Sequence, residues 1–353
     1  RPSANSEEIK SGANTIVNSK NPIIWAGGGV ISSEASKELT ELANYLQAPV
    51  ITTGEGRGAI SDKNYLSMGS FRFKNDTFFE NEINDFDLVI AVGTRMLNTE
   101  YFDNQKILQI DIDDEEIGRN YKNTQGILGD AKKSLQNLLS ELKVQIPPKD
   151  SREQELISMK QNRFNPDTII EPQHSYIEAI RAALPEDGIL VAGMTQLGYY
   201  SRNRFEVYEP RTYITSSYYG NLGYAFPTAL GAKVAQPDKA VVAISGDGGF
   251  MFNVQELSTA VRHNINLVTV LFNDNAYGNV MRDQVNMFDG REYGAQLTNP
   301  DFIKLAESFG VNAIRVENGA EELKSAIISA LKLDQPTLIE VPVGEMPNPF
   351  RHY

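Results

Sequence analysis

The feature that most constrains this chain is a rhythm. Short β-branched apolar runs alternate with amphipathic helical stretches along nearly all of its 353 residues. Parallel strands need helix-length crossovers, so such alternation folds as parallel sheets covered by helices. Pro22–Ala26, Ala48–Thr52, Leu88–Val92 and Ile107–Asp111 read as strands, with helices over Ala35–Leu46 and Ala131–Leu142. Residues 147–172 carry paired prolines, mixed charge and Asn, and read as a surface linker holding one short helix at most. The alternation then resumes. Strands Ile189–Ala192, Ala240–Ser245, Leu267–Phe272 and Thr337–Val343 are interleaved with helices over Ser175–Leu184, Tyr224–Ala235, Asn253–His263, Pro300–Phe309 and Ala320–Leu331. The expected fold class is α/β, two doubly wound parallel-sheet domains spanning 1–146 and 173–353, joined by the 147–172 linker.

Charge and composition remove several function classes. Lys and Arg number 33 against 46 Asp and Glu, a net charge of −13. That argues against nucleic-acid binding and against a polybasic membrane surface, both of which need a basic face. Without any Cys, disulfide frameworks, thiolate metal sites and cysteine nucleophiles are excluded. Three scattered histidines, His174, His263 and His352, leave little room for a His-based metal centre. No apolar run approaches the roughly 20 residues of a membrane span, and the first residues lack a signal-peptide core. The chain starts on Arg1 rather than Met, so it reads as a fragment or processed product of a soluble, cytoplasmic protein.

Two strand-to-helix turns are rich in glycine. Gly27, Gly28 and Gly29 follow the first strand and read either as a tight turn or as a phosphate cradle of backbone N–H groups. They lack the spaced third glycine of the dinucleotide fingerprint, and the next strand does not end in an acid. Carboxylates at Asp111, Asp113 and Glu116 lie past another strand end, where they can meet a ribose hydroxyl or cap a helix.

The second turn is more specific. The apolar strand over 240–245 runs into Gly246, Asp247, Gly248 and Gly249; the next strand ends in Asn273, Asp274, Asn275, Ala276, Tyr277 and Gly278. Right-handed crossover puts Asp247 and Asp274, 27 residues apart, on one sheet edge, where open α/β sheets bind ligands. Two carboxylates and a carbonyl suit Mg²⁺, which keeps coordination sites for phosphate. The glycines let backbone N–H groups approach that phosphate closely.

This pair of segments resembles the diphosphate-binding signature of thiamine-diphosphate enzymes, which runs from Gly-Asp-Gly to an Asn-Asn or Asn-Asp pair. Residues 220–232 are similar to the Gly-x-x-Gly-(Phe/Tyr)-x-(Leu/Phe)-Pro-x-Ala-x-Gly-Ala run of the acetolactate synthase, pyruvate oxidase and decarboxylase group. The runs at 110–113 and 92–95 resemble that group's central domain. The resemblance covers about 21–342. It implies a Rossmann-like central domain followed by a thiamine-diphosphate-binding fold. It also implies decarboxylation and carboligation of a 2-ketoacid or aldehyde, with thiamine diphosphate and Mg²⁺ as cofactors.

Carried over by position, Asp247, Asp274 and the Ala276 carbonyl would hold the metal, with Asp274 standing where Asn is usual. Gly246, Gly248 and Gly249 would form the diphosphate loop, joined by Gly198, Tyr199 and Tyr200 and by Asn273, Tyr277 and Gly278. The Gly220 carbonyl would accept from the aminopyrimidine, and Leu222 would be the wedge that bends the cofactor. Seen without the motif, Leu222 reads as core and the two tyrosines as packing aromatics.

The resemblance departs in three places. The pyrimidine-binding domain that supplies an activating glutamate has no match, so a separate chain or domain is expected, within a dimeric or tetrameric homo-oligomer. Glu256, inside the helix after the loop, is a poor local substitute. Asp283 stands where acetolactate synthases carry Trp, and Ser70–Phe73 replaces a Met-His-Gly-like flavin segment. This argues against a strict acetolactate synthase and against bound FAD. The competing expectations are another thiamine-diphosphate lyase or oxidase, a half-site subunit serving a partner chain, and, remotely, a nucleotide-dependent dehydrogenase.

Overall fold

Strand pairing organises the chain into two all-parallel sheets of six strands each. The structure is a computed structural model and describes residues 2–71, 82–97, 102 and 104–350. The first sheet holds β1 (Pro22–Ala26), β2 (Val50–Thr52), β3 (Ser67–Ser70), β4 (Leu88–Val92), β5 (Lys106–Asp111) and β6 (Thr124–Leu128). Their spatial order is 3-2-1-4-5-6, the doubly wound dinucleotide-fold order, whose direction reverses between β1 and β4. β1 and β4 are buried along their whole length, as expected of strands covered on both faces. Helices Ser6–Val17, Ser36–Leu46 and Ala131–Gln145 bury Ile9, Ala13, Ile16, Leu39, Leu42, Leu135 and Leu138 in this unit's core.

The second sheet holds β7 (Ile189–Ala192), β8 (Tyr213–Thr215), β9 (Val241–Gly246), β10 (Val268–Asn273), β11 (Asn312–Arg315) and β12 (Thr337–Pro342), in the order 11-12-10-9-7-8. The chain steps from β7 outward to β8, then returns to the other side of β7 for β9. The β7/β9 border is therefore a switch point, where strand ends diverge and leave a crevice. In this unit's core Phe250 packs tilted against Phe226 and edge-on to Phe302, with ring centroids 5.3 and 6.2 Å apart.

The expected α/β class is what the chain adopts, with local differences. Helix Ser6–Val17, capped by Asn5, and the edge strands β3, β6, β8 and β11 were not expected. The helix expected over 253–263 is a 3₁₀ turn, Val254–Glu256, followed by Leu257–Arg262. Residues 147–172 are not a free connector. They contain helix Glu153–Arg163, whose Leu156 is fully buried in the first core and whose Arg163 donates to the Ser70 carbonyl. Contacts divide the chain after Thr168, with Val207–Arg211 returning to the first unit. Among the described residues no helix is long and apolar enough to cross a membrane.

Candidate diphosphate and metal site

The carboxyl ends of β7, β9 and β10 surround one crevice. Asp247, the first residue after β9, is nearly fully buried. Its Oδ1 accepts from the Gly248 N–H at 2.8 Å and its Oδ2 from Asn299 Nδ2 at 2.6 Å. Asn299 also reaches Asn273 Oδ1 at 3.0 Å and Asn275 Oδ1 at 3.2 Å. Two amide hydrogens thus serve three oxygens, which ties the β9 and β10 ends together. Behind them the buried Glu340 accepts from Asn273 Nδ2 and from Arg315 Nε, each at 2.9 Å.

Asp274 completes an acidic pair. Its Oδ1 accepts from the Ala276 N–H at 3.2 Å, and its carboxyl faces that of Asp247. Burial first, and then the Asp247 charge, pushes Asp274 up to about 6. Burial likewise holds Asp247 above the ordinary carboxylate range. Neither carboxylate has an ion-pair partner among the described residues. Two such acids, one buried and one partly so, call for a cation.

The glycines divide by what fills the space beside them. A Cβ on Gly248 would lie 2.3 Å from the Tyr277 ring, and one on Gly278 would lie 2.5 Å from Asp274 Oδ2. A Cβ on Gly198 would strike the Gly193 carbonyl at 1.8 Å, so Gly198 lets its helix press against the β7 end. Gly249 is different: a Cβ there would meet nothing nearer than 3.5 Å. One of the ordinary contacts it would make is with Leu222, its Cδ2 at 3.8 Å and its side chain 37% exposed. Leu222 is therefore not core. Gly220 lies just before it with φ +57.

The remaining expected residues separate. Tyr200 is fully enclosed, 6.3 Å from the His174 ring, and its side chain offers no surface to a ligand. Tyr199 is half-buried against Phe350, 5.3 Å away, and burial raises its hydroxyl pKa. The Asn273 amide is consumed by Glu340 and Asn299. An antiparallel bridge between Ala276 and Gln296 fixes the backbone at 276. Glu256 accepts from Thr259 Oγ1 at 2.6 Å, a local helix contact rather than a catalytic one.

Asn299, Glu340 and Gln196 were not singled out from the sequence. They come from three remote segments, and no spacing signals that they converge. Gln196 opens helix Gln196–Arg204 at the β7 end, and its neighbour Thr195 lies 3.1 Å from a Cβ placed on Gly246.

The first unit's glycine turn is filled by backbone. A Cβ on Gly27 would lie 2.2 Å from the Gly93 carbonyl oxygen, and one on Gly29 would lie 2.6 Å from Gly93 Cα. Of the two uses open to these glycines, the space supports close packing. Past β5, Gln109 donates to the Thr94 and Glu116 carbonyls at 3.3 and 3.0 Å, tying down the acidic segment. The flavin-segment comparison at Ser70–Phe73 runs into residues outside those described.

The donor set fits a hard divalent cation carrying phosphate. Asp247, Asp274 and a backbone carbonyl offer oxygen only. Among the described residues no group of three or more His, Cys, Asp or Glu side chains offers a rival site. Residues 193–341 match the family "Thiamine pyrophosphate enzyme, C-terminal TPP binding domain", and residues 9–138 match "Thiamine pyrophosphate enzyme, central domain". A probable acetolactate synthase large subunit of Methanococcus aeolicus is 34% identical over 94% of this chain and 60% of its own length. That of Methanocaldococcus jannaschii is 33% identical over 95% of this chain and 59% of its own. The acetolactate synthase large subunit of Corynebacterium glutamicum is 33% identical over 96% and 57%. The chain thus spans about 60% of the length of the curated relatives it matches. With both domains matched in order and the acid pair set on the second sheet's switch point, the chain belongs to the thiamine pyrophosphate enzyme family.

Proposed function

We propose that this chain holds the diphosphate and metal end of a thiamine-diphosphate- and Mg²⁺-dependent enzyme. The enzyme would decarboxylate a 2-ketoacid and ligate the remaining fragment to a second carbonyl compound, as an acetolactate synthase does. The observation that carries this reading is the Asp247–Asp274 pair beside the glycine turn of Gly248 and Gly249. Asp247, Asp274 and the Ala276 carbonyl would hold Mg²⁺, and the backbone at Gly246, Gly248 and Gly249 would meet the diphosphate oxygens. When bound, the cofactor supplies the electron sink for carbon–carbon cleavage and formation.

The chain's own residues do the positioning. Asn299 and Glu340 hold the two strand ends at fixed separation, so the metal ligands need no rearrangement on binding. Leu222 would press on the cofactor's middle, and the Gly220 carbonyl would accept from its aminopyrimidine. Since Glu256 is committed to Thr259, the pyrimidine end requires a pyrimidine-binding domain or chain, in a dimeric or tetrameric assembly. Titration calorimetry on the assembled protein, with and without Mg²⁺, tests the proposal. Mg²⁺-dependent uptake of thiamine diphosphate is expected; equal heats without the metal would overturn it.

A further inference from the structure

Arg282 lies in helix Gly278–Met287, one turn beyond the acidic pair's segment. One guanidinium nitrogen donates to Gln196 Oε1 at 3.2 Å, and another donates to Asn279 Oδ1. Among the described residues it makes no ion pair, although Asp283, Glu345 and Tyr199 lie near enough to act on its charge. A half-buried guanidinium without an ion pair is an uncommon expense of desolvation, so its hydrogen bonds call for a purpose.

Donor chemistry supplies one. Guanidinium can only donate, so the Gln196 oxygen must face Arg282. The Gln196 Nε2 is then forced to the opposite side, where it lies 3.4 Å from a Cβ placed on Gly278. That same Cβ would be 2.5 Å from Asp274 Oδ2. The amide nitrogen thus lies beside Gly278, on the side where the Asp274 carboxylate stands. Gln196 itself is only 6% exposed, and no acceptor for Nε2 is found among the described residues. An amide donor on a largely buried side chain, with no protein acceptor, is free to meet an anion.

We propose that Arg282 is a positioning residue for the diphosphate: its bond to Gln196 Oε1 locks the amide so that Nε2 donates into the crevice. This rests on the thiamine-diphosphate reading above, and it extends that reading to a residue eight positions beyond Asp274. Flipped, the amide would turn its oxygen toward the diphosphate and repel it. Arg282 prevents the flip, and its charge lowers the cost of bringing phosphate beside two carboxylates.

A double-mutant cycle tests the inference on the assembled apo-protein, read by titration calorimetry with Mg²⁺ present. The probes are thiamine diphosphate and, separately, inorganic pyrophosphate. Arg282→Met and Gln196→Ala should each weaken binding of both probes about tenfold, the scale of losing an outer support of a ligand shell. The double variant should lose little more than either alone. Arg282→Lys should recover part of the affinity, because one ammonium hydrogen can still hold Oε1. Gln196→Glu should bind no better than Gln196→Ala, because a carboxylate satisfies Arg282 but cannot donate. Melting curves show which variants remain folded, and the lysine variant carries the test if methionine unfolds the helix. Additive losses would overturn the proposal, since Arg282 would then act independently of Gln196. Unchanged affinities would overturn it too. If the parent protein takes up pyrophosphate with this coupling but not thiamine diphosphate, the cofactor reading fails and the positioning role stands. If it takes up neither, both fail.

Discussion

The two glycine turns of this chain each follow a strand that borders a switch point, in two similar sheets, and differ in what surrounds them. After β1, Gly27 and Gly29 let the following helix touch Gly93, and backbone fills the space a side chain would need. After β9, a Cβ on Gly249 would make only ordinary contacts, none nearer than 3.5 Å, and Asp247 begins the helix in place of another glycine. Both turns sit at switch points, so topology alone does not separate them. The difference lies in what the neighbouring strand end brings. β4 is followed by Gly93 and Thr94, which fill the space; β10 is followed by Asp274, which brings a charge. A glycine run is evidence for a ligand cradle only when the adjacent strand end leaves room and supplies charge.

The largest break in this comparison is expected from Asp247→Ala. It should abolish Mg²⁺-dependent thiamine-diphosphate uptake, by at least about a hundredfold, because the diphosphate charge loses its metal anchor. The fold should survive. Calorimetry paired with melting curves checks both halves, and retained affinity would remove the contrast between the turns.

Gly27→Ala should do the reverse. Its methyl group would press on the Gly93 carbonyl, two backbone elements that cannot swing aside. A cost of about 3 kcal/mol is expected, at the upper end for overpacking. Thermal unfolding should show the first unit melting earlier while cofactor affinity stays within about twofold. Lost affinity at unchanged stability would instead make this turn a ligand site.

Leu222→Ala sharpens the second turn's role. Turnover should fall about tenfold, with cofactor affinity changed far less, because a lost wedge loosens orientation rather than anchorage. Equal losses in both constants would assign Leu222 to ordinary binding contact.

How much of this was legible in the sequence follows the same physics. β1, β4 and β7 could be bounded to the residue, because a strand buried on both faces is written as an unbroken apolar run. β3, β6, β8 and β11 sit at or beside sheet edges and carry Ser, Thr, Gln, Asn or Arg, so they show no such run. Helix Gly278–Met287 buries no residue and thus has no apolar stripe to find. Within the site, Asp247 and Asp274 were legible from local spacing after two strands. Asn299, Gln196 and Arg282 are joined by contacts between segments that only folding brings together.

The smallest expected effect concerns pH, and it isolates what the second turn has and the first lacks. Asp274 has its pKa raised from 3.8 to about 6, by burial and by the Asp247 charge. A carboxyl raised in the folded state binds its proton more tightly there than in the unfolded chain. Its contribution is therefore fully present below about pH 4 and is lost as pH rises through about 6. Metal-free protein should lose roughly 1 kcal/mol of stability across that window, a figure discounted for partial exposure and coupling. Mg²⁺ should restore it above pH 6, because the cation takes over the proton's place between two carboxylates, and should do little at pH 4.5, where protons compete. Asp274→Asn should flatten the metal-free profile, since the amide carries no charge to neutralise. Denaturant unfolding at pH 4.5, 6 and 7.5, with and without Mg²⁺, reads all of this. A metal-free profile equally steep in Asp274→Asn would locate the titration elsewhere and leave the acidic pair without its predicted strain.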